Sequence, residues 1–431
     1  MSVFLQDGLY TYINLLLIGW VALFLRCVIA GRSKIKQGIS GWMGQSFYLL
    51  GKKGEWMERH LATPLFCIPV GMYVVQLTAL QSLWIEQWPQ TMQFLCVVCE
   101  HLVAICLIGK IVFATRYTPL QIGVVFSVFF VFRWVFINNH EKWMLIALLF
   151  CLAAKEVNLR LAAWVDGILV AVSCLAVVVT SLLGIVPTLV EESHRGIRNS
   201  FGYGWYNYLG AILLGLGLIY VYLRSVRRPA WYDTLVLLSL AAFSHVGPNS
   251  RAATMGLLLL VLGWYLVGFC PNLWKNTGFQ ALVACLPLLL CMASGIMVLG
   301  WRDNAGWAHQ LNQLFSGRLE LASQALEGTS FAIAGQAPAD WMLVDNVYLY
   351  HWIISGPVAS LLLWAGFSLG IARMLRHQHV LEALCLSVMA LHGLMEHHIL
   401  WANLNIGIWL LCGVVYWTNP PQSFAPQRTT K

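Results

Sequence analysis

Seven of the chain's 26 Lys and Arg residues stand apart from the rest: Arg133, Lys142, Arg195, Arg198, Arg251, Arg302 and Arg318. All but Lys142 are arginines. A guanidinium is always charged, and its planar fork of N–H donors matches phosphate. Arg198 lies in Glu191-Glu192-Ser193-His194-Arg195-Gly196-Ile197-Arg198, Arg251 closes Ser244-His245-Val246-Gly247-Pro248-Asn249-Ser250-Arg251, and Arg318 ends Ser316-Gly317-Arg318. Two further places carry groups that handle protons. His392 and Glu396 are four residues apart in a stretch read as helical, which sets them on one helix face. Asp345 opens Asp345-Asn346-Val347-Tyr348, just before an apolar run. Environment tunes a His or a carboxylate toward neutral pH. Gathered in one cavity, the arginines would hold an anionic leaving group, and His392, Glu396 or Asp345 would serve as the base.

Each residue also has a plainer reading. Arginines on translocated loops can be simple surface charges. His392 and Glu396 can form a polar cap at the membrane interface. Asp345 can cap the helix that follows it, and Tyr348 can belong to an interfacial aromatic belt. A metal site of His392, Glu396 and either His397 or His398 has no other clear ligand set to accompany it. Cys96-x-x-Cys99-Glu100-His101 lacks the second pair of a zinc site and sits inside an apolar run. No metal and no cofactor is expected.

The elements that must position these groups are transmembrane helices. The 431 residues are 59% hydrophobic and only 10% charged, against about 25% charged in a soluble domain. Apolar runs of about 20 residues recur along the chain. The first, near 9–25, lacks the basic start and cleavage site of a signal peptide and reads as a retained helix. The runs predict helices near 9–25, 61–85, 91–113, 119–137, 143–154, 161–188, 207–223, 230–246, 253–270, 279–300, 347–372, 381–399 and 403–417. Residues 40–51 suit an interfacial amphipathic helix. The fold class is therefore all-α, a polytopic bundle of about 12–14 helices. Residues 1–300 hold the N-terminal helices, 301–346 a large external loop, 347–418 the C-terminal helices and 419–431 a tail. The loop keeps Trp307, Phe315, Phe331 and Trp341, so it should fold back on the bundle.

Charge sets the orientation. The seven residues named at the outset fall on one side and the remaining Lys and Arg, mixed freely, on the other. The Lys-rich side is cytoplasmic by the positive-inside rule, so the net charge of +8 follows the lipid bilayer, not nucleic acid. Most of the 12 Cys lie within apolar runs, such as Cys67, Cys151, Cys174 and Cys385, so no disulfide framework is implied.

No Walker A sequence, no Asp-x-Asp and no nucleophile elbow is present, and little sequence lies outside the membrane. Chemistry would take place at the outer face, away from ATP and nucleotide sugars. A substrate there must arrive activated, and a lipid-linked pyrophosphate sugar meets that condition.

The chain resembles the Wzy-type O-antigen and capsular polysaccharide polymerases, within the O-antigen ligase/polymerase superfamily. Architecture carries part of the resemblance: a dozen or so helices and one large external loop in the C-terminal half. Arg198-Asn199-Ser200-Phe201-Gly202 through Asn207-Tyr208, Ser250-Arg251 at a helix start, Ser316-Gly317-Arg318 in the loop, and Asp345-Asn346-x-Tyr348-Leu349 followed by Gly356 carry the rest. The Arg-x10-Gly spacing of some polymerases is not met by Arg198 to Gly210 or by Arg318 to Gly328. Asp345 stands where related ligases tend to place a His, which tilts the resemblance to polymerase.

The resemblance implies a metal-independent glycosyltransferase that joins undecaprenyl-pyrophosphate-linked repeat units. Arg198, Arg251 and Arg318 would bind the pyrophosphate, Asn207, Asn346 and Tyr348 the glycan, and His392, Glu396 or Asp345 would be the base. A chain-length regulator and a flippase would be its partners, in a bacterial cytoplasmic membrane. An O-antigen ligase or a non-enzymatic flippase is the alternative; a flippase should show an internal repeat, and none is visible.

Overall fold

A computed structural model describes residues 14, 17–23, 25, 47, 52–193, 196–329, 332–339 and 342–412. Within them the apolar runs form an α-helical bundle. The longer helices are α1 (Lys52–Gln81), α2 (Pro89–Phe113), α3 (Pro119–Asn139), α4 (Trp143–Ala153) and α5 (Leu159–Leu182). A two-stranded antiparallel hairpin follows, β1 (Val190–Ser193) and β2 (Gly196–Asn199). Then come α6 (Tyr206–Arg224), α7 (Trp231–Val246), α8 (Arg251–Phe269) and α9 (Thr277–Arg302). The segment after α9 contributes α10 (Gly306–Leu314) and α11 (Arg318–Glu327), and the chain returns through α12 (Gly356–Arg376) and α13 (Val380–His392). Among the described residues, eight helices are long and apolar enough to cross a bilayer. The chain is a membrane protein.

Helix starts are set by local chemistry. Thr118 and Gln121 form a reciprocal capping box at α3, with Pro119 in its first turn, which satisfies otherwise orphaned N–H groups. Asn158 and Asn276 cap α5 and α9 through their side chains.

Alternation of direction brings one set of helix ends together. Leu83 N donates to Gly202 O (2.8 Å) and Gly204 N to Gln81 O (2.9 Å), joining the end of α1 to the chain between β2 and α6. Val347 N donates to Gly393 O (2.9 Å), joining the loop's return to the end of α13. Gly210 lets α6 lie against the start of α8, because a Cβ there would run into Ser250. At the opposite end lie Arg224, Arg227, Arg228, Lys275, Arg373 and Arg376.

The segment expected as a large loop is not extended. α10 and α11 fold back on the bundle, and Leu319, Ala322 and Ala325 pack with Val298, Val344, Ile353 and Ile354 in a buried cluster of their own. Trp301 and Phe315 lean on it; Phe331 and Trp341 lie outside the described residues. The descending limb docks on a break in the membrane helix. Val347–Tyr350 is a single helical turn, His351–Ser355 widens to a π turn, and α12 starts only at Gly356. The π turn frees carbonyls. Ile354 O accepts from Gln336 N (3.0 Å) and Asn139 Nδ2 (3.1 Å). Gly335 and Gly356, both at positive φ, let the two backbones touch.

Several expected boundaries are corrected. The helix expected at 61–85 begins at Lys52, so Lys52, Lys53 and Arg59 ride on it. The one expected at 161–188 stops at Leu182. The one expected at 381–399 stops at His392, because Gly393 follows and the chain turns toward Val347. Of the segment 403–417, the described part is a short helix, Gly407–Leu410, among turns. Of the first helix, residues 14, 17–23 and 25 are described and are helical; its other residues, residues 40–46 and 48–51, and the tail lie outside the described residues.

Candidate functional site

Arg318 reaches the site through a sharp turn. Ser316 and Gly317 both adopt positive φ, and the buried side chain of Asn312 caps the start of α11, accepting from Leu319 N (3.0 Å) and Glu320 N (3.2 Å). Arg318 is therefore the first residue of a firmly capped helix. Arg198 comes from β2, where the register sets it opposite Glu191. Its guanidinium lies over the Tyr206 ring, 4.7 Å from the centroid, an arrangement that favours a cation. Arg251 opens α8.

Asp345 does not supply the helix cap that its plainer reading offered. Asn346 performs that task instead: its Oδ1 accepts from Tyr348 N (3.0 Å) and Leu349 N (3.2 Å), and its Nδ2 donates to Ser294 Oγ (3.0 Å). This releases Asp345 to the cleft, where its Oδ2 lies 3.0 Å from Arg318 Nε.

These groups line one cleft of about 400 Å³, with Asn207, Asn249, Ser316 and Glu396 among its walls. That is a volume suited to a small ligand. A continuous polar chain crosses it. Arg198 Nη1 is 3.3 Å from Glu191 Oε2, and its Nη2 donates to Asn207 Oδ1 (2.8 Å). Asn207 Nδ2 donates to Glu396 Oε1 (2.7 Å), which also accepts from Arg318 Nη2 (3.0 Å). Arg318 then reaches Asp345. Arg251 is exposed and, among the described residues, makes no ion pair or side-chain hydrogen bond.

Glu396 is the most buried carboxyl of the cleft, its side chain only 4% exposed. Burial pushes its carboxyl from 4.5 up to about 8, against the pull of Arg318 and Arg198 and with the help of Asp345. Its second oxygen faces His398 Nδ1 at 3.9 Å. Burial pushes the His397 and His398 imidazoles down, so both stand behind Glu396 as neutral rings. A carboxyl poised near neutrality beside a guanidinium and an amide can take a proton from a hydroxyl in the cleft.

Six of the residues singled out in the sequence thus meet: Arg198, Asn207, Arg251, Arg318, Asp345 and Glu396. Three do not line the cleft. His392 is buried at the last position of α13, beside the backbone of Ala252. It does not share a helix face with Glu396, since the helix has already ended. Tyr348 is fully buried, with its hydroxyl on Ala390 O (2.7 Å). Asn346 spends its amide on the cap and on Ser294. The last two position Asp345 and cannot offer groups to a glycan. Glu191, Asn249 and Asn312 were not among the nominated residues. A hairpin reading of 190–199 would have set Glu191 across from Arg198; Asn312 left no signal. Among the described residues no group of three His, Cys, Asp or Glu is placed to hold a metal ion. Glu100, of the Cys-x-x-Cys segment, is taken by Lys142 Nζ (2.6 Å) and Gln76 Nε2 (3.1 Å). No protein-family model, curated protein or solved structure matches the chain.

Proposed function

We propose that the protein is a membrane glycosyltransferase that polymerises oligosaccharide repeat units carried on undecaprenyl pyrophosphate, at the outer face of a bacterial cytoplasmic membrane. The observation that carries this reading is the convergence of Arg198, Arg251 and Arg318, from three distant segments, on one cleft with a tuned carboxyl. The cleft lies at the end of the bundle away from Arg224, Arg227, Lys275 and Arg373, which the positive-inside rule makes the outer end.

In this reading the acceptor's hydroxyl gives its proton to Glu396 and its oxygen attacks the donor's anomeric carbon. The bond from that carbon to the pyrophosphate oxygen breaks, and undecaprenyl pyrophosphate leaves against the arginines. Glu396 is the best-supported base: it lines the cleft and burial pushes its carboxyl up toward neutral pH, whereas His392 lies behind the wall; Asp345, which also lines the cleft, is the second candidate. Deleting the gene should abolish the ladder of long glycans while single repeat units still reach their final carrier through a separate ligase. Loss of the single-unit product as well would favour the ligase or flippase reading. A reporter active only outside the cytoplasm should work when fused after Ala334 and be silent after Gln378; the reverse would overturn the orientation.

A further inference from the structure

The arginines of the cleft are not equivalent. Arg251 is unpaired among the described residues, whereas Arg198 and Arg318 each already hold a carboxylate that is half exposed. The Glu191 side chain is 46% exposed and that of Asp345 37%. Such rim pairs cost little to break. The inner contacts differ. Glu396 is buried, and Asn207 ties it to Arg198 on one side while Arg318 holds it on the other. The polar chain therefore has a fixed centre and two loose ends, one on the β-hairpin and one on the loop's return. The two loose ends belong to two different guanidiniums.

We propose that Glu191 and Asp345 are built-in competitors that make the cleft selective for a two-centre anion, a diphosphate, over a monophosphate. This rests on the reading of the cleft as the site of an anionic leaving group. A diphosphate replaces both carboxylates at once, one phosphoryl group on Arg198 and one on Arg318, with Arg251 as the open contact. An orthophosphate displaces one carboxylate and leaves the other pair closed, so it recovers half the interactions. The competitors also give the site a way to empty: as the diphosphate departs, each arginine finds its carboxylate again, and neither is stranded without a counter-charge.

The test is equilibrium binding to the full chain in lipid nanodiscs, with inorganic pyrophosphate and orthophosphate as probes. The wild-type protein should prefer pyrophosphate. Asp345→Asn keeps the shape and removes the competitor, so orthophosphate affinity should rise about fivefold or more and the preference should shrink. Glu191→Gln, on a separate element, should do the same at Arg198, and Arg251→Gln should weaken both probes. Unchanged or weaker orthophosphate binding in both carboxylate variants would overturn the proposal. So would a wild type that binds the two probes equally. Farnesyl diphosphate separates the sources: tighter binding than pyrophosphate points to a lipid-carried diphosphate, equal binding to a free one, and either upholds two-centre selectivity. A protein that shows this pattern in a strain whose glycan ladder does not depend on it would keep the inference and defeat the polymerase reading.

Discussion

The two ends of the bundle use similar ions for opposite purposes. At the end away from the cleft, Arg116 Nε binds Glu156 Oε1 (2.9 Å) and its Nη2 lies 3.4 Å from Glu58 Oε1. Lys110 is fully buried and donates to Thr115 Oγ1 (2.9 Å) and to Lys155 O, while Lys155 Nζ donates to Arg116 O. Backbone carbonyls consume the ammonium donors there, and the network bolts α2 to the turn between α4 and α5. At the cleft, Arg198, Arg251 and Arg318 border about 400 Å³ of space, two of their partners are half exposed, and one guanidinium makes no ion pair among the described residues. The lesson is that paired charges mark a site only where donors and room remain. Lysine suffices for a bolt, because its point charge can turn toward any carbonyl. A fork is needed where two oxygens must be met at once.

The comparison breaks most sharply at Glu396, where the largest effect is expected. Glu396→Gln keeps the hydrogen bonds to Asn207 and Arg318 in shape but removes the proposed base, so turnover should fall on the order of 10²–10⁴-fold. The pH profile gives the sign. The carboxyl sits at about 8 in the folded protein against 4.5 ordinarily, and the base works when ionised. Activity should therefore rise with pH toward a plateau above about 8, and this limb should vanish in Glu396→Gln. Folding stability runs the other way: the unfolded carboxyl ionises first, so stability falls as pH climbs from 4.5 to about 8. A limb that persists in the variant would move the base to Asp345.

Smaller effects sharpen the contrast. Arg116→Lys at the bolt should leave activity per folded molecule unchanged and alter stability by about 1 kcal/mol or less, because the pair is partly solvated. Tyr348→Phe deletes the hydrogen bond to Ala390 O and should cost about 1 kcal/mol of stability, with the glycan ladder intact. A lost ladder at normal protein abundance would instead return Tyr348 to the substrate.

Helix placement was largely legible in the sequence because bilayer-length apolar runs are a strong signal, and the seven outlying Lys and Arg residues included the three arginines that line the cleft. The end of α13 was misread: Leu394, Met395, Ile399 and Leu400 carry apolar residues past Gly393, while the contact that accompanies the stop, Val347 N with Gly393 O, is distant in sequence. The pairing of Asp345 with Arg318 was legible only as residue types. Which neighbour caps the helix, Asp345 or Asn346, depends on whether Ser294 is near enough to fix the amide. The partition of arginines into paired and open was missed because it turns on the hairpin register that faces Glu191 with Arg198, and 190–199 was not read as a hairpin.

The most direct measurement compares two conservative changes at opposite ends. Arg318→Lys and Arg116→Lys are each introduced into the deletion strain, with membrane abundance checked by blotting and the glycan ladder read on a gel. Lysine keeps the charge and loses the fork, so Arg318→Lys should lose about 2–4 kcal/mol of leaving-group stabilisation, on the order of 30- to 1,000-fold in rate. Its ladder should collapse toward single units while Arg116→Lys makes the full range. A full ladder from Arg318→Lys at normal abundance would contradict the two-pronged role of the cleft's arginines.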